Sequence, residues 1–107
     1  MDQATYVTRV LHLYRKVPGT LDRVLRDDRR TALDLYHRNV PIEIVENAFI
    51  LVAARRAKRA TDDPDDPIRV LRYILPVIQE LILAPPQTGY LHYIECRLRE
   101  EFLFTID

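Results

Sequence analysis

Residues 41–60 read PIEIVENAFILVAARRAKRA, and this stretch decides the class of the fold. Its apolar residues recur at intervals of three and four positions, which is the period of an α-helix. Glutamates stand near its start and basic residues crowd its end, as the charge of a helix dipole favours. The apolar residues also cover much of the circumference. We therefore expect a long helix at the centre of the protein.

The residues just before this helix predict a tight turn. Asn39 can adopt the left-handed conformation that ends a helix, and Val40 can then cover its last turn. Pro41 is suited to the first position of the following helix. The sequence therefore predicts two consecutive helices joined at Asn39-Val40-Pro41.

A shorter helix should precede this turn, with Asp27 or Asp28 as its N-cap and its end near Arg38. The outline of residues 28–59 is then that of a helix-turn-helix. In that motif the residues that open the second helix face the edges of the DNA bases. Here two of them are glutamates, which repel DNA, so base reading by this helix is disfavoured.

The same periodicity predicts helices at both ends of the chain, one from the N-cap Asp2 to about Lys16 and one from about Tyr90. A further helix starting at Pro67 should be kinked, because Pro76 removes a backbone donor from its middle. We see no pattern typical of strands. The fold class predicted is all-α, a compact bundle of four to five helices with a helix-turn-helix-like pair at about 28–59.

Length and composition predict a single helical domain over residues 1–107. The longest apolar run, Ala48–Ala54, is far shorter than the roughly 20 residues that cross a bilayer. The first residues lack the basic start and apolar stretch of a secretory signal. A lone cysteine, Cys96, agrees with a reducing compartment. We expect a cytoplasmic protein without membrane contact.

Charge is balanced overall but not along the chain. Residues 1–60 hold twelve basic against seven acidic side chains, and residues 61–107 hold four against nine. Fourteen of the sixteen cations are arginine, whose planar fork suits both phosphate and carboxylate. This bias is typical of nucleic-acid contact or of ion pairs on exposed helices, and ion pairs are the stronger expectation for most of them.

Nothing in the sequence predicts an enzyme, a metal or a cofactor. His12, His37 and His92 fall on different helices, and no two histidines have the spacing of a helical zinc site. His92 and Glu95 share a face, and Cys96 is a thiol without a positioned base, so we expect both to be structural. No glycine-rich loop could cradle a phosphate. We predict no catalytic residue.

Two surfaces are candidate binding sites. The first is the basic end of the central helix together with the start of the next one, which could contact the phosphates of DNA or RNA. Its residues are Arg55, Arg56, Lys58, Arg59, Arg69 and Arg72. The second is an apolar edge of the last helix, which could form a homodimer or meet a larger protein partner. Its residues are Tyr90, Tyr93 and Phe104.

Another basic cluster lies earlier in the chain but is diluted by acids. Its cations are Arg23, Arg26, Arg29 and Arg30, and the acids among them are Asp22, Asp27 and Asp28. For this cluster we expect internal ion pairing.

From Asp28-Arg29-Arg30-Thr31-Ala32-Leu33-Asp34-Leu35-Tyr36, through residues 39–48, to Ala54-Arg55-Arg56, the chain resembles small helical proteins associated with bacterial mobile elements and replication. The resemblance covers about a third of the chain and transfers no catalytic residue. It implies a role alongside DNA or a DNA-processing partner. We therefore predict a nucleic-acid-binding accessory protein, with a protein-interaction or assembly module that does not contact nucleic acid as the alternative.

Overall fold

A computed structural model of the protein describes residues 1–17, 23–59, 71–87 and 89–102, with side chains at 56–59, 95 and 98–102 outside the description. Five α-helices and one 3₁₀ helix make up most of these ranges, which contain no strand. The α-helices are α1 (Gln3–Lys16), α2 (Arg26–His37), α3 (Ile42–Arg59), α4 (Leu75–Leu83) and α5 (Tyr90–Phe102), and the 3₁₀ helix is Leu71–Ile74. The predicted all-α bundle is confirmed.

Helix α3 forms the centre of the bundle. It contacts α1, α4, α5 and the 3₁₀ helix. Every residue from Ala48 to Ala53 is buried. Six consecutive residues turn through more than a full circle of helix, so this part of α3 is covered on all sides. The sequence predicted this central position, because the apolar residues of 41–60 cover much of the helix circumference.

Helix α1 begins and ends where the sequence predicts. The Asp2 carboxylate accepts a hydrogen bond of 2.8 Å from the backbone N–H of Thr5, which caps the first turn. One face of the helix, including Val10 and Leu13, is buried. This face packs against both α2 and α3, so α1 holds the following two helices together.

The turn between α2 and α3 is a Schellman motif. Asn39 has a positive φ of 60°, and its N–H donates to the carbonyl of Tyr36 over 3.0 Å. The N–H of Val40 donates to the carbonyl of Leu35 over 3.2 Å. The hydroxyl of Tyr6 then donates to the Val40 carbonyl over 2.8 Å, which ties α1 to the turn. The predicted left-handed Asn39 is confirmed, and α2 and α3 are held mainly through α1.

The start of α2 differs from the prediction. Its N-cap is Leu25, and the two expected N-cap residues, Asp27 and Asp28, are its second and third residues. Asp28 is only 1% exposed. The Asp28 carboxylate accepts hydrogen bonds of 2.9 Å from the backbone N–H groups of Leu25 and Leu71. The 3₁₀ helix brings the Leu71 donor to α2, and this distant contact turns Asp28 inward.

Pro76 also occupies a different place from the expected one. It is the second residue of α4, which begins directly after the 3₁₀ helix, so it lies in the first turn of α4 and not in its middle. The N–H groups of the first turn have no partner within the helix, and a proline there costs no hydrogen bond. The expected start of this helix at Pro67 lies outside the described residues.

Candidate interaction groove between α4 and α5

Helices α4 and α5 both pack against α3 and leave a groove between them. Its volume is about 350 Å³. Helix α3 forms its floor, and α4 and α5 form its walls. Its apolar lining includes Leu51 and Ala54 of α3, Leu81 of α4 and Ile94 of α5. We name this site the α4–α5 groove.

An ion pair lies at the edge of the α4–α5 groove. Arg55 of α3 donates to both carboxylate oxygens of Glu80 in α4, with Nη2–Oε1 at 2.6 Å and Nη1–Oε2 at 3.1 Å. Both side chains remain about half exposed. The hydrogen bonds raise the pKa of Arg55 and lower the pKa of Glu80. The pair therefore links the floor helix to one wall.

Exposed apolar side chains lie at and beside the groove. Tyr90 lines it from α5 and is 51% exposed, and Tyr93, one turn further on, is 57% exposed. Arg97 donates to the Tyr93 hydroxyl over 3.1 Å and lies 6.0 Å from the centre of its ring. At the end of α4, Leu83 is 73% exposed. The predicted exposure of Tyr90 and Tyr93 is confirmed, whereas Phe104 lies outside the described residues.

The predicted phosphate-binding residues are only partly described. Arg55 is engaged by Glu80 and is not a free cation. Arg72 is exposed on the 3₁₀ helix. The backbone of α3 continues through Arg59, which places three further cations in its last turn. Their side chains, at positions 56, 58 and 59, and the whole of Arg69 lie outside the description.

The earlier basic cluster differs from our expectation. Arg23, Arg26, Arg29 and Arg30 are all exposed. In the part of the chain that the structure describes, none of the four forms an ion pair. Asp28 is unavailable to them, because it is buried and bonded to two backbone amides. Residue types alone did not reveal this, since an aspartate beside arginines indicates pairing as readily as burial.

Cys96 and His92, residue types that can take part in catalysis or metal binding, lie close together on α5. The Sγ of Cys96 lies 3.6 Å from Nε2 of His92, one helical turn away. His92 is exposed and Cys96 half-buried, and the Glu95 side chain is not described. Within the described ranges, no three His, Cys, Asp or Glu residues are grouped as a metal site would require. None of the described helices has the length and apolarity to cross a membrane.

The chain was compared with known proteins. It matches no family model, and the comparisons with curated proteins and with solved structures found no match. The resemblance to helical proteins of mobile elements stays a prediction.

Proposed function

We propose that the protein is an interaction module whose α4–α5 groove binds an amphipathic helical segment of a protein partner. The observation that carries this proposal is a groove between two helices whose lining is mainly apolar and includes the half-exposed Tyr90. Concave sites with a mainly apolar lining and a few polar groups are common binding sites in soluble proteins.

The shape of the groove favours a helical ligand. One helix forms the floor and two others form the walls, as in proteins that take the apolar face of a partner helix. A volume of about 350 Å³ has room for a few large side chains above Leu51, Ala54 and Leu81. The Arg55–Glu80 pair would add polar contacts at the rim.

The size of the exposed surface favours a segment over a second copy of the chain. Tyr90, Tyr93 and Leu83 together expose on the order of 300–400 Å² of surface, of which the tyrosine hydroxyls make a polar part. A stable protein–protein interface buries about 800 Å² on each partner. A homodimer built on this surface alone would therefore be weak. A single helical segment buries a smaller area when it binds.

The nucleic-acid role that the sequence predicts has less support at the groove. Arg55 would have to leave the Glu80 carboxylate to contact a phosphate through the same nitrogens. The apolar floor beside it offers nothing to a phosphate backbone, whose contacts are charged and polar. A helical segment of a protein can pack on the apolar floor and also contact the Arg55–Glu80 pair.

The test is a selection of helical peptides that bind the protein, from a displayed library with randomised apolar faces. We expect selected peptides to shift backbone NMR signals of the groove residues. Tyr90→Ala removes an anchor and Ala84→Glu places a charge in the groove, and each should weaken peptide binding about tenfold. Ile82→Glu is the matched control, because Ile82 is exposed on α4 but does not line the groove.

Two outcomes would overturn the proposal. One is a set of peptides whose binding is unaffected by both groove variants. The other is a stable dimer in sedimentation that Ala84→Glu dissociates, which would assign the groove to a second copy of the chain.

A further inference from the structure

A basic surface on α2 is not used by the proposed protein-binding groove. It consists of Arg23, Arg26, Arg29 and Arg30, all exposed, and we name it the α2 arginine surface. Positions 26, 29 and 30 have the i, i+3, i+4 spacing that places side chains on one face of a helix. The buried residues of α2 include Ala32 and Leu35, which do not share this spacing. Arg26, Arg29 and Arg30 therefore project together into solvent, and Arg23 is exposed just before the helix.

The tertiary structure removes the acid that would have neutralised this surface. Asp28 lies between the arginines in sequence, but its carboxylate is buried and bonded to the amides of Leu25 and Leu71. Of the other acids within α2, Asp27 and Asp34 are exposed. Among the described residues, neither of them is ion-paired with an arginine of the surface. Asp22 lies outside the described residues.

The position of these arginines is not explained by the stability of α2. Arg26 is the first residue of the helix, and Arg29 and Arg30 follow about one turn later. Cations at the start of a helix are repelled by the positive end of its dipole, which destabilises the helix. Helix α1 shows the favourable arrangement, with Arg15 and Lys16 in its last turn. Departure from a stability rule on an exposed surface is typical of a functional site.

We propose that the α2 arginine surface binds the phosphodiester backbone of a nucleic acid, independently of the α4–α5 groove. All four cations are arginine, whose planar guanidinium donates two parallel hydrogen bonds to one phosphate. Contacts of this kind are made without regard to base sequence and weaken steeply as salt is added. This surface on α2 is distinct from the one that the sequence predicts at the end of α3, which stays a prediction.

The experiment measures binding of the full chain to a fluorescent DNA duplex of mixed sequence, from about 50 to about 200 mM salt. The test variant carries Arg26→Gln, Arg29→Gln and Arg30→Gln. The matched control removes three charges from the end of α3, with Arg56→Gln, Lys58→Gln and Arg59→Gln. Circular dichroism verifies that both variants keep their helices.

We expect the wild type to bind, with affinity that falls as salt rises. The α2 variant should bind about tenfold more weakly or worse at low salt. The slope of log affinity against log salt should become shallower by about 0.9 for each phosphate that the variant no longer neutralises. The α3 control should lose less affinity than the α2 variant.

Three results would overturn the proposal. The first is absence of wild-type binding at low salt. The second is a weakening in the α3 control equal to or larger than that in the α2 variant. The third is displacement of the duplex by polyglutamate at equal charge concentration, which would assign the surface to an acidic protein.

Discussion

The carboxylate of Asp28 and the backbone N–H of Leu71 form a buried hydrogen bond of 2.9 Å across 43 positions of sequence. The second oxygen of the same carboxylate accepts a hydrogen bond from the N–H of Leu25. One side chain therefore joins the start of α2 to the 3₁₀ helix. The carboxylate thus satisfies the buried backbone donor of Leu71 and the part-buried donor of Leu25. This single group therefore orders the region that carries the α2 arginine surface.

Asp28→Asn should lower the free energy of unfolding by about 2–3 kcal/mol, because an amide offers one acceptor and would turn its NH₂ group toward the second backbone donor. Urea denaturation at neutral pH measures the change. The control is Asp27→Asn, an exposed neighbour that should cost less than about 1 kcal/mol. Equal destabilisation in the two variants would show that charge near the helix start matters more than these hydrogen bonds.

Tyr6→Phe should destabilise the protein by about 1–2 kcal/mol, because the Val40 carbonyl is left without its buried donor. Burial raises the pKa of Tyr6 from 10.0 to about 12. The tyrosine thus stabilises the fold fully below pH 10, and its contribution is lost as the pH rises from 10 to about 12.

The alkaline loss of stability should therefore be smaller in Tyr6→Phe than in the wild type. Part of it should remain, because burial also raises the pKa of Tyr14. Urea midpoints across this pH range measure the difference, and exposed Tyr93→Phe serves as the control. Parallel pH profiles for wild type and Tyr6→Phe would contradict the assignment.

Asn39→Ala should cost about 1–2 kcal/mol, because a side chain with a Cβ and no local hydrogen bond is strained at a φ of 60°. Asn39→Gly should be neutral to within about 0.5 kcal/mol, since glycine adopts this conformation without strain. Chemical denaturation of the two variants tests the prediction. Greater destabilisation by glycine than by alanine would mean that the side chain, not the backbone, stabilises the turn.

Glu80→Gln should change the stability little at neutral pH, because the Arg55–Glu80 pair is half exposed to solvent. Arg55 lowers the pKa of Glu80 below its ordinary value of 4.5. The pair therefore stabilises the fold above pH 4.5, and this contribution is lost as the pH falls through the lowered value.

The acid limb of the stability profile should consequently be shallower in Glu80→Gln than in the wild type. A residual slope is expected from Asp2, because its hydrogen bonds from Thr5 lower its pKa as well. Urea midpoints at successive pH values below neutral provide the measurement. An unchanged acid limb would mean that the Arg55–Glu80 pair is not maintained in solution.

The expectations that held concern features set by neighbouring residues. The period of three and four in residues 41–60 predicted the buried central helix, and Asp2 predicted the first cap. Asn39 predicted the left-handed turn. Helix formation and capping depend on residues within about four positions of one another, so a linear sequence contains what is needed to recognise them.

The sequence by itself thus determined an all-α chain, its central helix and the turn before it. Tertiary structure alone decided that Asp28 points inward to Leu71, that Arg55 meets Glu80 25 positions away, and that α4 and α5 leave a groove above α3. These contacts join residues far apart in the chain. An aspartate or an arginine has the same local preferences whether its distant partner is a backbone amide, a carboxylate or water, and only packing of the helices selects among them.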